Sequence, residues 1–301
     1  MNRTLWKRTW RCGVLLPALS LTLAGCEPTK PPTPAEQRMY ATRLAVTTTM
    51  GHPELHPYTK LIEFSQPHDP VAGSVGTVEL KVFSAKDQKD GTHPEWKYFH
   101  PLPAAPAKAT ASEVLMEAWL ISRDGTVFLH SRPSLKDYGT FLTDWIMPHA
   151  GDYNLYAIYQ PAYQDEDKPW LRSQVFRIEV ARRPIKIAGP SPLPATLAWS
   201  PSPTADGNLL LTAPTGGTAP VPVSSASPHV GEPFDLMVPS ALVSESGVQP
   251  NLVVVSADGT DFQQIMNAAG HFEVSFANPG LYKLWISAGG PAYSAVIRVQ
   301  P

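Results

Sequence analysis

The strongest constraint on the fold of this chain is an internal repeat. Four short pieces of the first half return in the same order in the second half, and their offset drifts only from about 134 to about 120 residues. A fifth piece, Val75-Gly76, returns as Val230-Gly231, again just before an apolar stretch. Ordered recurrence of this kind predicts a tandem duplication of one folding module. The four longer matches are Ser122–Phe128 with Ser256–Phe262, Gly139–Phe141 with Gly270–Phe272, Pro148–Tyr153 with Asn278–Tyr282, and Phe176–Val180 with Ala295–Val299.

Each copy has the apolar patterning of short β-strands. Proline is frequent, with 33 residues among 301, and it disfavours long helices because it lacks the backbone N–H and clashes inside a helix. Val78–Val82 alternates apolar and polar side chains, as a half-buried strand does. Phe272, Val274 and Phe276 are expected to share one strand face. The predicted strands are Lys60–Phe64, Val78–Val82, Met116–Ile121, Thr140–Ile146, Tyr153–Tyr159 and Gln174–Val180, then Asn208–Thr212, Pro233–Val238, Asn251–Ser256, His271–Phe276, Leu281–Ser287 and Tyr293–Val299.

Two recurring pieces suggest how each copy turns its corners. The Asp-Gly pairs at Asp124 and Asp258 suit tight turns, because glycine tolerates a positive φ and aspartate bonds the nearby backbone. The Gly-x-Tyr pieces that end in Tyr153 and Tyr282 resemble the tyrosine corner of immunoglobulin-like sandwiches, which implies a buried ring whose hydroxyl ties the backbone of the corner. The expected fold is therefore all-β, with two tandem immunoglobulin-like β-sandwiches.

The expected organisation follows from these patterns and from two proline-rich stretches. We expect a signal peptide at residues 1–25, a proline-rich tether at 26–57 and a first sandwich at 58–182. A proline-rich linker at 183–205 then leads to a second sandwich at 206–301.

The amino end has the pattern of an export signal. A basic start is followed by the apolar stretch 13–23, which is too short for an ordinary membrane-spanning helix. The stretch ends in Leu23-Ala-Gly-Cys26, which resembles the bacterial lipobox. This resemblance implies cleavage before Cys26, a lipid on its sulfur and acylation of the new amino terminus, and several acyl chains together anchor a protein stably. The alternative is a plain signal peptide with an incidental cysteine.

The expected localisation is the cell envelope, where the lipid anchors the protein to a membrane. In the enterobacterial sorting rule an aspartate after the lipidated cysteine retains a lipoprotein in the inner membrane, and here the residue is Glu27. We therefore expect the outer membrane, on its periplasmic face or at the surface, rather than the inner membrane.

Charge and cysteine content exclude several kinds of chemistry. The signal removes four of the 24 basic side chains and none of the 26 acidic ones, so the mature chain has a net charge of about −6 and no basic patch for nucleic acid. The two cysteines are Cys12 and Cys26, so no free thiol is left for catalysis or for a cysteine-based zinc site. Sequence patterns of hydrolases, metalloproteases and phosphate loops are absent, and we expect no enzyme.

One segment points to metal binding. The stretch 119–159 resembles small periplasmic β-sandwich domains found beside copper and heavy-metal handling proteins, in which an apolar strand and Ser-x-Asp precede Phe-x-His-x-His-Pro and a Pro-Gly-x-Tyr corner. Here Phe128, His130 and Pro133 keep the middle of that pattern, whereas Arg132 stands where the second histidine would be. The second copy has Phe262-Gln-Gln264 instead and lacks both histidines.

A copper-type site is accordingly the alternative hypothesis for function. Imidazole nitrogen suits copper and zinc, and seven of the nine histidines precede residue 150. Solvated surface histidines are the simpler interpretation, because no pair has strong ligand spacing. The candidate ligands are His130, helped by His93, His100 and His149.

Aromatic residues concentrated in the first copy suggest a binding surface. Most are explained by core packing, but Tyr138, Tyr163 and Trp170 fall in predicted loops, where binding residues often lie on a rigid sandwich. The function expected from the sequence is therefore a membrane-anchored envelope lipoprotein that acts as a non-catalytic binding or scaffolding module, with an envelope protein as its partner and no cofactor besides the lipid on Cys26.

Overall fold

The chain folds into antiparallel β-sheets. A computed structural model describes residues 58–66, 70–83, 98–100, 102, 114–137, 139–163, 174–175, 179–189, 199–239, 250–266, 270–287 and 291–301. These residues contain no helix, and so none that is long and apolar enough to cross a membrane. Their strands are β1 (Tyr58–Gln66), β2 (Val75–Phe83), β3 (Tyr98–His100), β4 (Met116–Ser122), β5 (Phe128–Ser131), β6 (Ser134–Asp137), β7 (Thr140–Ile146), β8 (Gly151–Tyr163), β9 (Gln174–Val175), β10 (Glu179–Ile187), β11 (Thr204–Ala205), β12 (Asn208–Thr212), β13 (Thr218–Pro222), β14 (Pro233–Met237), β15 (Asn251–Ser256), β16 (Phe262–Met266), β17 (His271–Ser275), β18 (Gly280–Ser287) and β19 (Tyr293–Val299).

The first half of the chain forms two sheets around one apolar core. One sheet has the strand order β1-β2-β7-β6, and the other has the order β10-β8-β4-β5, with β3 and β9 pairing along the far end of β8. Their facing sides bury a cluster that runs from Val78 to Ile187 and includes Leu120, Phe141 and Leu155. The alternation predicted for β2 is confirmed, since Val78, Leu80 and Val82 are fully buried, as expected for strands that cover a core on one side.

The second half repeats this plan with a longer sheet. Its strands follow the order β11-β12-β19-β18-β15-β16, with β13 added beside β12, and the two-stranded sheet β14-β17 covers one side. The cluster between these sheets runs from Leu209 to Val299. Phe272, Val274 and Phe276 are buried in it as predicted, whereas His271 is exposed. The all-β fold class is thus confirmed, with antiparallel sheets that pack face to face as in β-sandwiches.

The repeated turns have the geometry expected from the sequence. Gly125 and Gly259 adopt φ of 73° and 71°, the left-handed region that favours glycine. In each turn the preceding aspartate accepts bonds from a serine hydroxyl and from the backbone N–H two residues ahead. Asp-Gly therefore serves as a self-contained turn in both copies.

The tyrosine corner is also present in both copies. The Tyr153 hydroxyl donates to the carbonyl oxygen of His149 at 2.8 Å. The Tyr282 hydroxyl lies 3.0 Å from the carbonyl oxygen of Asn278 and donates to the Asp261 carboxylate, which is nearer. Both rings are buried. Burial raises the pKa of Tyr153 to about 12, so this hydroxyl remains a donor at neutral pH.

The structure also differs from the sequence expectation in places. It adds strands that were not predicted, notably β5 and β16 directly after the two Asp-Gly turns. Strand β10 continues to Ile187, so residue 182, where we placed the end of the first sandwich, lies inside a strand. Pro184 is tolerated there because β10 is the edge strand of its sheet and pairs with β8 alone.

We expect Tyr153→Phe and Tyr282→Phe each to lower the free energy of unfolding by about 1 kcal/mol or more, because each removes a hydroxyl hydrogen bond without opening a cavity. Tyr153 loses its bond to the His149 carbonyl, and Tyr282 loses its bonds to the Asp261 carboxylate and the Asn278 carbonyl. Urea unfolding followed by far-UV circular dichroism measures the loss. Tyr293→Phe is the control, since its hydroxyl makes no hydrogen bond within the described residues. Equal losses in all three variants would contradict the structural role of the corner.

Candidate functional site

A third apolar layer joins the two halves of the chain. We call this layer the seam. It lies between the sheet that contains β4, β5 and β8 and the sheet that contains β15, β16 and β18. In each sheet these side chains point away from the core of their own half. One face of each sheet is therefore covered by its core and the other face by the seam. The buried members of the seam are Leu102, Trp119, Ile121, Tyr156 and Ile158 from the first half and Val253, Val255, Phe262 and Trp285 from the second.

Aromatic side chains pair crosswise at the seam. Phe128 stacks on Trp285 with ring centroids 5.0 Å apart, and Tyr156 stacks on Phe262 with centroids 4.4 Å apart. In the internal repeat Phe128 corresponds to Phe262, and Tyr156 corresponds to Trp285. Each copy therefore offers the same two positions to the other, so the two halves meet in an approximately two-fold arrangement. Stacked aromatic pairs stabilise such contacts beyond the burial of area.

The two Asp-Gly turns are bonded across the seam in the same manner. Lys283 Nζ donates to the carbonyl oxygen of Gly125 at 2.6 Å, and the Tyr156 hydroxyl donates to the carbonyl oxygen of Gly259 at 2.9 Å. Arg182 Nη2 adds a bond to the Asp258 carbonyl at 3.3 Å. Each turn thus presents its backbone oxygen to a donor from the other half.

A charged cluster lies in the seam around Glu117. This side chain is only 6% exposed, and its two oxygens accept from Arg132 Nε at 3.2 Å and from Gln264 Nε2 of the other half. His130 Nε2 is 3.8 Å from the same carboxylate, and the imidazole stacks on Trp119 with centroids 4.9 Å apart. Since a buried carboxylate is costly unless it is paired, these partners compensate its charge.

The electrostatics of His130 follow from this position. Burial lowers its pKa below the ordinary value, the Arg132 guanidinium acts in the same direction, and Glu117 opposes them. The imidazole is therefore neutral at pH 7 and rests on Trp119 as a flat, partly apolar ring. Arg132, which stands where the copper-domain pattern has a second histidine, here serves as the partner of Glu117.

The other candidate metal ligands are not part of this cluster. His149 is exposed at the corner before β8, where its carbonyl oxygen serves Tyr153. His100 lies in β3, of which the backbone is described, and His93 lies outside the described residues. Within the described part of the chain no three His, Cys, Asp or Glu side chains form a group that could hold a metal ion.

The candidate partner-binding and lipid-bearing residues fall mostly elsewhere. Tyr163 is the last residue of β8. Cys26, Tyr138 and Trp170 lie outside the described residues.

Sequence reasoning missed the seam, although the sequence contains a signal for it. Strand β2 alternates apolar and polar residues, but β4, the middle of β8 and β15 are apolar on both faces. Continuous apolar strands indicate burial on both sides. The non-alternating stretches 116–121, 153–159 and 251–256 were therefore indicators of a third layer.

Comparison with known proteins adds little. No protein-family model and no curated protein matches the chain. Among solved structures, S. aureus TarS 217-571 covers 84% of this chain at 8% identity and a TM-score of 0.21, alpha-2-macroglobulin from Escherichia coli covers 81% at 14% identity and 0.18, and the BSP domain of a biofilm associated protein covers 84% at 8% identity and 0.20. This chain spans 60%, 16% and 53% of the length of those chains. Likeness at this level carries no functional argument.

The buried lysine of the seam predicts a pH dependence. Burial lowers the pKa of Lys283 from 10.5 to about 8 in the folded state, against the opposing charge of Asp124. Between these values the unfolded state binds more protons than the folded state, so the free energy of unfolding should rise as pH increases from about 8 toward 10. Urea unfolding at a series of pH values measures this slope.

Lys283→Met should remove the slope, whereas Lys186→Met, at an exposed position, should keep it. A wild-type stability that is flat or falls between pH 8 and 9.5 would contradict the position of the buried amine.

The copper-type alternative stays a prediction and has its own test. It requires that Cu(I), Cu(II) or Zn(II) bind at micromolar concentration or tighter and that His130→Ala remove the binding. Because no three His, Cys, Asp or Glu side chains of the described residues form a group around His130 that could hold a metal ion, we expect calorimetric titration of the protein without its lipid to show no heat that depends on His130. Tight binding that is lost in His130→Ala but kept in His149→Ala would establish the metal site.

Proposed function

We propose that this chain is a membrane-anchored envelope lipoprotein in which two immunoglobulin-like sandwiches form one rigid, non-catalytic binding or scaffolding module. The observation that carries the proposal is the seam. Two domains on a flexible linker move independently by default, whereas a large apolar interface between them suppresses that motion. The aromatic pairs and the buried Glu117 make this interface resemble a core, so the module would hold any bound partner in a fixed orientation.

The immunoglobulin-like assignment is supported by strand order. In such sandwiches the first, second, fifth and fourth strands share one sheet, and the third, sixth and seventh share the other. The order β1-β2-β7-β6 opposite β10-β8-β4 follows this plan, with β5 as an added strand next to β4. The corner tyrosines Tyr153 and Tyr282 occupy the position that such domains use.

Anchoring is supported by the amino-terminal sequence. Leu23-Ala-Gly-Cys26 has the lipobox pattern, and proline residues follow it at once. A proline-rich segment is extended and would space the module away from the bilayer surface. Lipid on Cys26 would then place the folded part at the membrane without a spanning helix.

A non-catalytic scaffolding role is supported by the hydrogen bonds that the polar side chains of the turns and the seam make with one another. Ser122 and Asp124 bond each other within a turn, and so do Ser256 and Asp258. Glu117 is held by Arg132 and Gln264. These groups stabilise turns and the seam, which is the use expected of them in a scaffold.

Fatty-acid labelling combined with crosslinking tests the proposal. The wild-type chain, expressed with labelled palmitate, should carry the label, sediment with membranes and crosslink in the envelope to a defined partner. Cys26→Ala should lose the label and the membrane association. Phe262→Ala should keep the label, yet lose the crosslink, because it removes one ring from the seam and loosens the relative orientation of the two sandwiches.

Tyr293→Phe serves as a control that keeps label and crosslink. An unlabelled wild-type chain would refute the anchor, and a reproducible absence of any crosslinked envelope partner would refute the scaffold.

A further inference from the structure

A cleft of about 610 Å³ opens at one end of the seam. Ligand sites in proteins have volumes of roughly 300–1,000 Å³ and often occur where two domains meet. The first half supplies the turn after β4, the start of β8 and the end of β10, and Ala257 from the second half closes one side. The lining consists of Arg123, Asp124, Ala150, Gly151, Asp152, Lys186, Ile187, Ala188, Gly189, Trp199 and Ala257.

Three charged side chains in this cleft are available to a ligand. Arg123, Asp152 and Lys186 are exposed and make no side-chain hydrogen bond or ion pair within the described part of the chain. Asp152 and Lys186 lie directly opposite each other in the pairing of β8 with β10, and the Arg123 N–H donates to the Asp152 carbonyl at 2.8 Å. Two cations and one carboxylate that have no side-chain partner among the described residues therefore line the same cleft. Asp124 differs, because its carboxylate already accepts from Ser122 and Thr126.

An aromatic ring forms part of the wall. Trp199 lies between the two halves in sequence, and its indole N–H donates to the Arg123 carbonyl at 3.0 Å. Its ring packs beside the Gly125 turn, where a side chain larger than glycine would meet both this ring and Lys283. The indole is thus held in one orientation while it remains partly open to the cleft.

The second copy of the internal repeat forms the same turn and corner without two of these three charges. Ala257 occupies the position of Arg123 in the second copy, and Leu281 occupies that of Asp152. Leu281 pairs with Arg298 just as Asp152 pairs with Lys186. The second copy forms the same turn and the same corner without Arg123 or Asp152. The two copies therefore share the residues of the turn and the corner and differ at Arg123 and Asp152, whereas Lys186 and Arg298 are both basic.

We propose that this cleft binds an acidic saccharide. A sugar offers an apolar C–H face that stacks on an indole, and hydroxyls that donate to a carboxylate such as Asp152. A carboxylate on the sugar pairs with a guanidinium and an ammonium, which Arg123 and Lys186 supply. The apolar floor of Ala150, Ile187 and Ala188 suits the ring of the sugar rather than a fully hydrated inorganic anion. This assignment rests on the proposed binding module and names its ligand class.

A glycan array followed by calorimetry tests the proposal. The mature chain in detergent is applied to uronic-acid, sialic-acid and muramic-acid oligosaccharides and to neutral oligosaccharides of matched length. We expect binding to acidic members and at least about tenfold weaker binding to their neutral counterparts, as for the loss of a charged hydrogen bond. Arg123→Ala and Lys186→Ala should each weaken acidic binding by about tenfold.

Arg298→Ala is the matched control and should bind as the wild type does, because Arg298 is exposed and pairs with Leu281 as Lys186 pairs with Asp152. This pairing matches residues 295–299 with 183–187, so the sequence match of Ala295–Val299 with Phe176–Val180 was wrong. The inference is overturned if no saccharide binds, if neutral and acidic members bind equally, or if Arg298→Ala weakens binding as much as Lys186→Ala. Since lipid labelling and partner crosslinking are measured separately, a chain that passes those and binds no saccharide fails this inference alone.

Discussion

The structure depends on burial of both faces of its two central sheets. In β4, Met116, Ala118 and Leu120 point into the core of the first half, while Trp119 and Ile121 point into the seam. In β15, Leu252 and Val254 face the core of the second half, while Val253 and Val255 face the seam. A sheet that is apolar on both faces must be covered on both. Either half alone would expose the apolar seam face of its sheet to water. The seam is therefore as much a requirement of the fold as either core.

The repeated Asp-Gly turn has one role within each copy and another in the seam. Within each copy it reverses the chain, and across the seam its glycine carbonyl accepts a bond from the other copy. Gly259 shows why glycine is required, since it adopts a positive φ and a Cβ there would collide with the Asn154 side chain. A substitution would thus strain the turn and force the Asn154 side chain to shift. The Asp-Gly turn therefore has two structural roles, reversal of the chain and a hydrogen bond across the seam, which accounts for its presence in both copies.

The two-fold correspondence is incomplete in the polar part of the seam. Glu117 reaches Gln264, but the counterparts of these residues, Asn251 and His130, do not form the matching bond. Asn251 Oδ1 is buried with no partner in the described residues, and His130 stacks on Trp119 instead. The carboxylate therefore has no equivalent in the second copy. The apolar residues of the seam thus recur in both copies. Glu117, His130 and Arg132 have no ionisable counterparts in the second copy.

Sequence reasoning could reach the local structure but not the convergence of distant segments. The strands, the Asp-Gly turns and the corner tyrosines were predictable because each depends on neighbours a few residues away, as Tyr153 depends on His149. Strand β5 was missed because Phe128 and His130 were interpreted as parts of a ligand-bearing pattern. As residues i and i+2 of a strand they share one face, on which Phe128 stacks on Trp285 and His130 stacks on Trp119. Arg132 and Gln264 are far apart in sequence, and no spacing rule indicates that both would hold Glu117.

The polar bonds of the seam determine its geometry, while its apolar side chains supply most of its stability. Apolar packing is not directional, and a flat layer of Ile, Val and aromatic rings could accept more than one relative position of the sheets. Glu117 excludes the alternatives, because a shift that separated it from Gln264 would leave a buried charge only partly paired. Lys283 and Tyr156 act likewise at the two turns. The cleft is lined by Arg123 from one half and Ala257 from the other, so its width depends on the relative position of the halves. The contacts that hold the halves together therefore also set the shape of the cleft.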